Sequence, residues 1–437
     1  MNPGGFLEPC TAAIVRPRPI MALPDRGPFT FPAPWNTTGI RLTNAADTGG
    51  GDALEHAGYS YWNNVNAHAG RDVLRVVLCA NRNRGGSGPA LWEVNKWTLE
   101  VTPRGPLFPP SHPLSWATAE GWYWSGSNPD LLYAPTDEKL YRINVVTQAV
   151  AVAVDITVPP WAGSGMALRQ WHTSRDDRTH SATLKNTRTS NWAAVGSIVY
   201  REGATPNPFL TFLPVRGIYD ECQVDKSGQW LLVKENVDGL YGEDNIVKPV
   251  GGPGERILLD QAGAAGHSDC GFGYMVAADN WHNLPNAIRV WMFDPAAQPQ
   301  GRVVYHGANW SSDLTHVSHC NAVPGAPEGQ YVVGSGASRQ AQPRTNEIVG
   351  FRLDGALECC VIAPTMSDLD APGGGADDYS KLPFGNLDPT GEYLLWTSNA
   401  GSARLDAFLV KVPTHLLGGA PPGPVCTQCP VHCPPGP

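Results

Sequence analysis

The sequence predicts an all-β chain folded as a seven-bladed β-propeller, with irregular arms at both ends. Three observations lead there. A unit of about 50 residues recurs along the chain, within the period range of propeller blades. The 437 residues include Gly 48, Pro 41 and Trp 15, which suits many short strands joined by tight turns, and no long amphipathic helix is visible. The last unit stops one strand short, while a strand is to spare near the N-terminus.

Residues 1–55 are rich in Pro, Gly, Thr and Asn and read as an irregular arm whose one strand is Gly-Ile-Arg-Leu-Thr at 39–43. The sequon Asn36-Thr-Thr38 reads as chance without an export signal. Two copies of the repeat align best, 221–233 (ECQVDKSGQWLLV) and 384–396 (FGNLDPTGEYLLW). Each reads as a strand, a polar turn carrying Gly, and an apolar strand. Residues 319–333 give the same unit with a longer turn, 269–276 a shortened one, and 64–77 a further copy; 122–156 and 171–215 are weaker. Seven units thus fall between about 56 and 413, and a radial array of four-stranded sheets protects its strand edges by closing the ring. A tandem of β-sandwiches explains the period less well. The final strand, 407–412, leaves a place that the 39–43 strand is expected to fill. Residues 414–437 form a Pro/Gly/Cys-rich tail in which Cys426, Cys429, His432 and Cys433 are soft ligands for zinc or partners in disulfides, without a scaffold around them.

The net charge of −9 comes without a basic stripe, so a nucleic-acid backbone finds no footprint. No apolar run is long enough to span a bilayer. Residues 1–9 lack a charged n-region and an apolar h-region, so no signal peptide is read; the expected location is the cytoplasm, or a virion or other assembly. Cys222, Cys270 and Cys320 recur at matching places and, with Cys359-Cys360, read as small buried apolar residues.

The densest cluster of potential ligands runs from His267 to Asn321. In a propeller the innermost strands line the channel, and their first residues emerge at one mouth. Aligning the cysteines makes Glu221, Asp269 and His319 equivalent, with Tyr219 and His267 two residues earlier and His316 in an adjoining loop. Successive blades then aim Glu221, His267, Asp269, His316 and His319 at one volume. Imidazole with carboxylate suits a divalent transition metal such as Mn, Zn or Fe better than a calcium cage. The alternative is a wet channel of polar groups bonded to each other and to water.

His267, followed one blade later by His316-x-x-His319-x-Asn321, resembles the metal site of oligogalacturonate lyases, seven-bladed propellers that place a His in one blade and Gln-x-x-His-x-His in the next. TolB-like propellers share the strand-turn-Gly-strand unit. The resemblance implies His267 and His319 as ligands, with His316 in place of the Gln and Asn321 in place of the third His. It also implies β-elimination from a uronate: the ion neutralises the carboxylate and a base removes the α-proton. The lyase base is a histidine, whereas the corresponding blade here opens with Tyr219-Asp220-Glu221; His172 and His180 are the nearest histidines, with Tyr219 as an outsider. Trp171 and Trp310 lie where an indole can stack on a sugar, with Glu221 beside them, or they serve as packing between blades. The acidic, glycine-rich loop 367–378 is a connector that can also cover the mouth.

Two functional readings follow. One is a metal-binding, carbohydrate-active propeller acting on an acidic oligosaccharide by β-elimination. The other is a non-catalytic recognition or assembly module, for example a structural protein of a virion or surface filament, with its arms docked on protein partners.

Overall fold

The fold comes from a computed structural model that describes residues 4–418 apart from 20, 56–57, 160, 162, 206, 241–242, 260–266, 280–286, 307–313 and 315. Seven antiparallel sheets follow one another in chain order, and no α-helix occurs among the described residues. Blade 1 opens at Val65–Asn66, blade 2 at Tyr123–Trp124, blade 3 at Met166–Thr173 and blade 4 at Ile218–Val224. Blades 5, 6 and 7 open at Ser268–Cys270, His316–Ser318 and Asn386–Leu387.

The repeat is a self-capping hairpin. In blade 4 the Asp225 carboxylate accepts the backbone N–H groups of Gln229 (3.0 Å) and Trp230 (2.9 Å), and in blade 7 Asp388 accepts that of Tyr393 (2.6 Å). Gly228 and Gly391 turn the chain at φ +70° and +77°, where a side chain would be strained. The second strand that follows is buried on both faces, as in Tyr393–Ser398. That explains continuous apolar runs where a half-exposed strand would alternate.

Blade 7 supplies three strands of its own, and Thr38–Arg41 pairs antiparallel with Asp406–Lys411 as its fourth, Ile40 opposite Leu409. Arg41 and Thr43 both bond the buried Asp406 carboxylate, at 2.8 and 2.9 Å. Across the seam, Ile40, Leu42, Leu395 and Leu409 pack on Val65, Leu74, Val76 and Trp92 of blade 1. Each such side chain contributes about 1.5–3 kcal/mol when fully buried, so apolar packing as well as strand pairing holds the ring shut.

The arm carries two strands beyond the one expected. Gly27–Thr30 lies outside Thr38–Arg41, and Phe6–Pro9 adds a fifth strand to blade 6. Pro28 and Pro9 sit in these edge strands, where a missing N–H is tolerated. Proline richness concealed them.

Candidate functional site at the channel mouth

Hairpin register decides which residues of neighbouring blades are equivalent. Trp230, Tyr274, Tyr331 and Tyr393 each begin a second strand. Counting from them, Lys234 opposes Glu221 and Ser335 opposes His316. The same level falls on His267, just before Ser268 paired with Ala277, and on Phe384, two residues before Asn386 paired with Leu395. Glu221, His267, His316 and Phe384 therefore occupy one tier in four successive blades. The cysteine alignment is corrected here: Cys222 sits two positions out from Cys270, and His319 one position out from Asp269. A shift of one reverses the face a strand residue presents.

The tier is a stack of rings. His267 and His316 lie parallel with centroids 4.4 Å apart, and His316 lies 4.4 Å from Phe384. Tyr59 packs on all three at 5.6–5.8 Å, and its hydroxyl meets that of Tyr379 at 2.6 Å. His316 is fully buried, while His267 and Tyr59 are partly open and Tyr379 is 37% exposed.

Tyr59 belongs to a segment that crosses the channel axis. Its next-but-one neighbour Tyr61 stacks on it at 5.3 Å, lies beside the Glu221 carboxylate of blade 4 and packs on His172 of blade 3. Asn63 accepts Trp124 N–H from blade 2 at 2.9 Å. Asn386 of blade 7 donates to the carbonyls of Ser60 and Trp62, and Cys320 of blade 6 lies 3.7 Å from both. The chain thus plugs its own channel. The one signal in the sequence is Tyr59-Ser-Tyr-Trp62, three aromatics in four residues outside any repeat.

Beside the ring stack the mouth is acidic. Glu221 accepts Lys234 Nζ and Gln223 Nε2, each at 2.8 Å. Burial opposes its charge, but Lys234 and the neighbouring groups hold the carboxyl below its ordinary range. Asp220 bulges out of the ladder between Tyr219 and Glu221 and stays exposed at the rim. The protein packed around it and the Glu221 charge push its carboxyl up to about 7, with Glu243 adding to the effect and Lys234 opposing it.

The remaining expected site residues separate. Asp269 faces Lys226 at 3.3 Å and accepts His319 N–H at 2.7 Å. His319 Nδ1 lies 3.1 Å from the Tyr331 carbonyl, which can only accept, so Nδ1 carries the proton and Nε2 takes the Tyr274 hydroxyl at 2.7 Å. Asn321 bonds the same histidine and the same carbonyl. Burial and Lys226 push His319 down to about 3, so it stays neutral. His172 is buried beside Tyr61 with no partner on Nε2; burial pushes it to about 3, Lys226 and Lys234 in the same direction and Glu221 against.

His180 and Trp171 are fully buried against each other at 5.1 Å, away from the mouth; His180 also contacts Thr173 and Glu202, each at 3.1 Å. Tyr219 turns toward blade 3, its hydroxyl 2.7 Å from Ser197 and 3.2 Å from Thr183. The bulge at Asp220 gives it that direction. Trp310 and the tail cysteines lie outside the described residues.

In this geometry the five expected metal ligands fall into two groups. His267 and His316 come together, but His319, Asn321 and Asp269 spend their donor atoms between blades, and among the described residues no group of three or more His, Cys, Asp or Glu is placed to hold a metal ion. A four-ligand set of the lyase kind does not fit these side chains. No helix of the described residues is long and apolar enough to cross a membrane.

Solved structures share the fold. An oligogalacturonate lyase from Vibrio parahaemolyticus matches with a TM-score of 0.58 at 11% identity, covering 89% of this chain and 99% of that one. An oligogalacturonate lyase in complex with manganese gives 0.59 at 13% identity, covering 94% and 99%. TolB from Acinetobacter baumannii gives 0.38 at 12% identity, covering 66% and 63%. No family model matches the chain, and no curated protein matches it in sequence. At these identities the likeness is one of fold: a seven-bladed β-propeller distantly similar to the oligogalacturonate lyase propellers.

Proposed function

We propose that this is a carbohydrate-active propeller whose sugar site is the rim formed by Tyr59, Tyr379, His267 and Asp220. The observation that carries the reading is the gathering, from separate blades and the plug, of flat rings with hydroxyl and imidazole edges beside an exposed carboxyl. A sugar is held in this way, its apolar face on a ring and its hydroxyls on the edges. The likeness in fold to oligogalacturonate lyases, proteins named for an oligosaccharide, supports a carbohydrate as the ligand and not its charge.

The finer chemistry follows the residues present. Because the ligand set for a manganese site does not fit, no step is routed through an ion. Asp220, titrating near neutrality, is the group placed to give or take a proton at a glycosidic oxygen or hydroxyl. An acidic oligosaccharide has to approach past Asp220, Glu221 and Glu243. The rim therefore suits a neutral or amino-bearing sugar better than a polyuronate.

Calorimetric titration with neutral, amino and uronate oligosaccharides tests this, with unsaturated uronate products followed by ultraviolet absorbance. Binding of a neutral or amino sugar that is lost in Tyr379→Ala is the expected outcome. Elimination of a polyuronate, with metal retained by the purified protein, overturns the metal-free version; no binding in any class overturns the site. A second reading, an assembly module, has one observation in its favour: the channel is filled by the chain itself, leaving the rims as the contact surfaces.

A further inference from the structure

The docking of the N-terminal arm on blade 6 has chemistry of its own. Phe6–Pro9 pairs with Glu358–Pro364, with Glu8 opposite Cys359, and Cys10 N–H donates to Leu357 O at 2.8 Å. Cys10 therefore opposes Leu357, and Cys359 lies two residues on, on the same face of the sheet. Both side chains are buried in one cluster in the seam between blades 5 and 6, close enough for each thiol to perturb the other's ionisation, and Cys359 Sγ donates to the Glu8 carbonyl at 3.4 Å. Arg344, itself buried, donates Nε to Cys359 Sγ at 3.3 Å, while its other nitrogens reach the arm carbonyls of Ala12 (2.9 Å) and Pro9 (2.7 Å) and the Glu8 carboxylate (2.7 Å). The adjacent Cys360 points the other way, into the seam with blade 7.

We propose that Cys10 and Cys359 are a disulfide-forming pair through which a small-molecule disulfide latches the arm to blade 6. Buried thiols in ordinary packing need neither a second thiol in contact nor a guanidinium on the sulfur. Here the Cys10 thiol and then the Arg344 cation favour the thiolate of Cys359 against its burial, and a thiolate is the attacking form. Cys359 sulfur attacks glutathione disulfide, forming a mixed disulfide and releasing one glutathione thiolate. Cys10 passes its proton to the glutathione thiolate just released and attacks Cys359 sulfur, expelling the second glutathione as a thiolate that takes up the proton first lost from Cys359 to solvent. Two protein thiols are oxidised and one glutathione disulfide is reduced to two thiols. Reagent gains access when the four-residue edge strand frays, the kind of local opening expected of a short terminal element.

The full chain is incubated natively with glutathione disulfide, alkylated, and mapped by non-reducing peptide mass spectrometry; amide exchange of residues 5–12 is followed in parallel. The expected result is a Cys10–Cys359 linked peptide in wild type and in Cys360→Ser. Exchange of the arm amides slows about tenfold or more and recovers with dithiothreitol. Cys10→Ser is expected to stop at glutathione on Cys359. The proposal is overturned if wild type keeps both thiols alkylated, stops at a glutathione adduct, or links either residue to another cysteine. Arm exchange unchanged by the link overturns the latch. Wild-type mapping decides the pairing even if a variant fails to fold.

Discussion

Blades 4 and 6 place different chemistry at one equivalent position. Blade 4 puts Glu221 there and blade 6 puts His316, each opposite one residue of its own second strand, Lys234 and Ser335. The carboxylate is fully buried and demands a cation in that opposite place; the imidazole is also fully buried, yet it rests on His267, Phe384 and Tyr59. The backbone tier is thus a socket whose occupant is governed by its cross-strand partner.

The largest way to break this comparison is Lys234→Met, which strands Glu221 in the interior. A loss of about 3–5 kcal/mol is expected in urea unfolding, and Glu221→Gln in the same chain is expected to restore most of it. His316→Ala leaves no charge behind and is expected to cost about 2–3 kcal/mol through the cavity alone. If the two losses come out in the reverse order, the socket account fails.

Protonation sharpens the contrast. His172, His180 and His319 are each pushed down to about 3 from 6.5, so the unfolded chain takes their protons first. Their contribution is complete above pH 6.5 and falls as pH drops toward 3, by about 1.4 kcal/mol per pH unit for each histidine. Glu221, depressed below the ordinary glutamate value, loses its contribution only as pH falls through its folded value, below that. Between pH 7 and 5 the raised carboxyls of Asp220 and Asp388, at about 7 and about 6, take protons in the folded chain and oppose the histidines, so wild type is compared at each pH with His319→Gln, which is expected to remove one histidine's share of the slope in urea midpoints.

The smallest effect on stability is expected from Tyr379→Phe. It removes one partly exposed hydroxyl bond to Tyr59 and is expected to cost under about 1 kcal/mol. Sugar binding at the rim is expected to weaken in the same variant; unchanged binding would move the site elsewhere.

The repeat was legible because its hairpin carries local chemistry: Asp225 and Asp388 cap their own turns, and Gly228 and Gly391 permit them. Ring closure near residue 40 was legible from a missing strand. The tier at the mouth was half legible, since His267 and His316 stood out, but spacing cannot reveal a bulge. One extra residue at Asp220 turns Tyr219 toward blade 3, and a strand ending at Ser318 releases His319 into the seam. Residues 59–63 were hidden because they belong to no repeat, and their partners come from six blades.

The strand that shuts the ring also sets an order of events in synthesis. Thr38–Arg41 leaves the ribosome early, but its partner Asp406–Lys411 comes some 370 residues later, which at 5–20 residues per second is a wait of roughly 20–75 s. During that interval the newborn chain holds an unsatisfied edge at each end of an open arc. Prolines 24, 28, 32 and 34 around that early strand keep its flank from recruiting a second nascent chain.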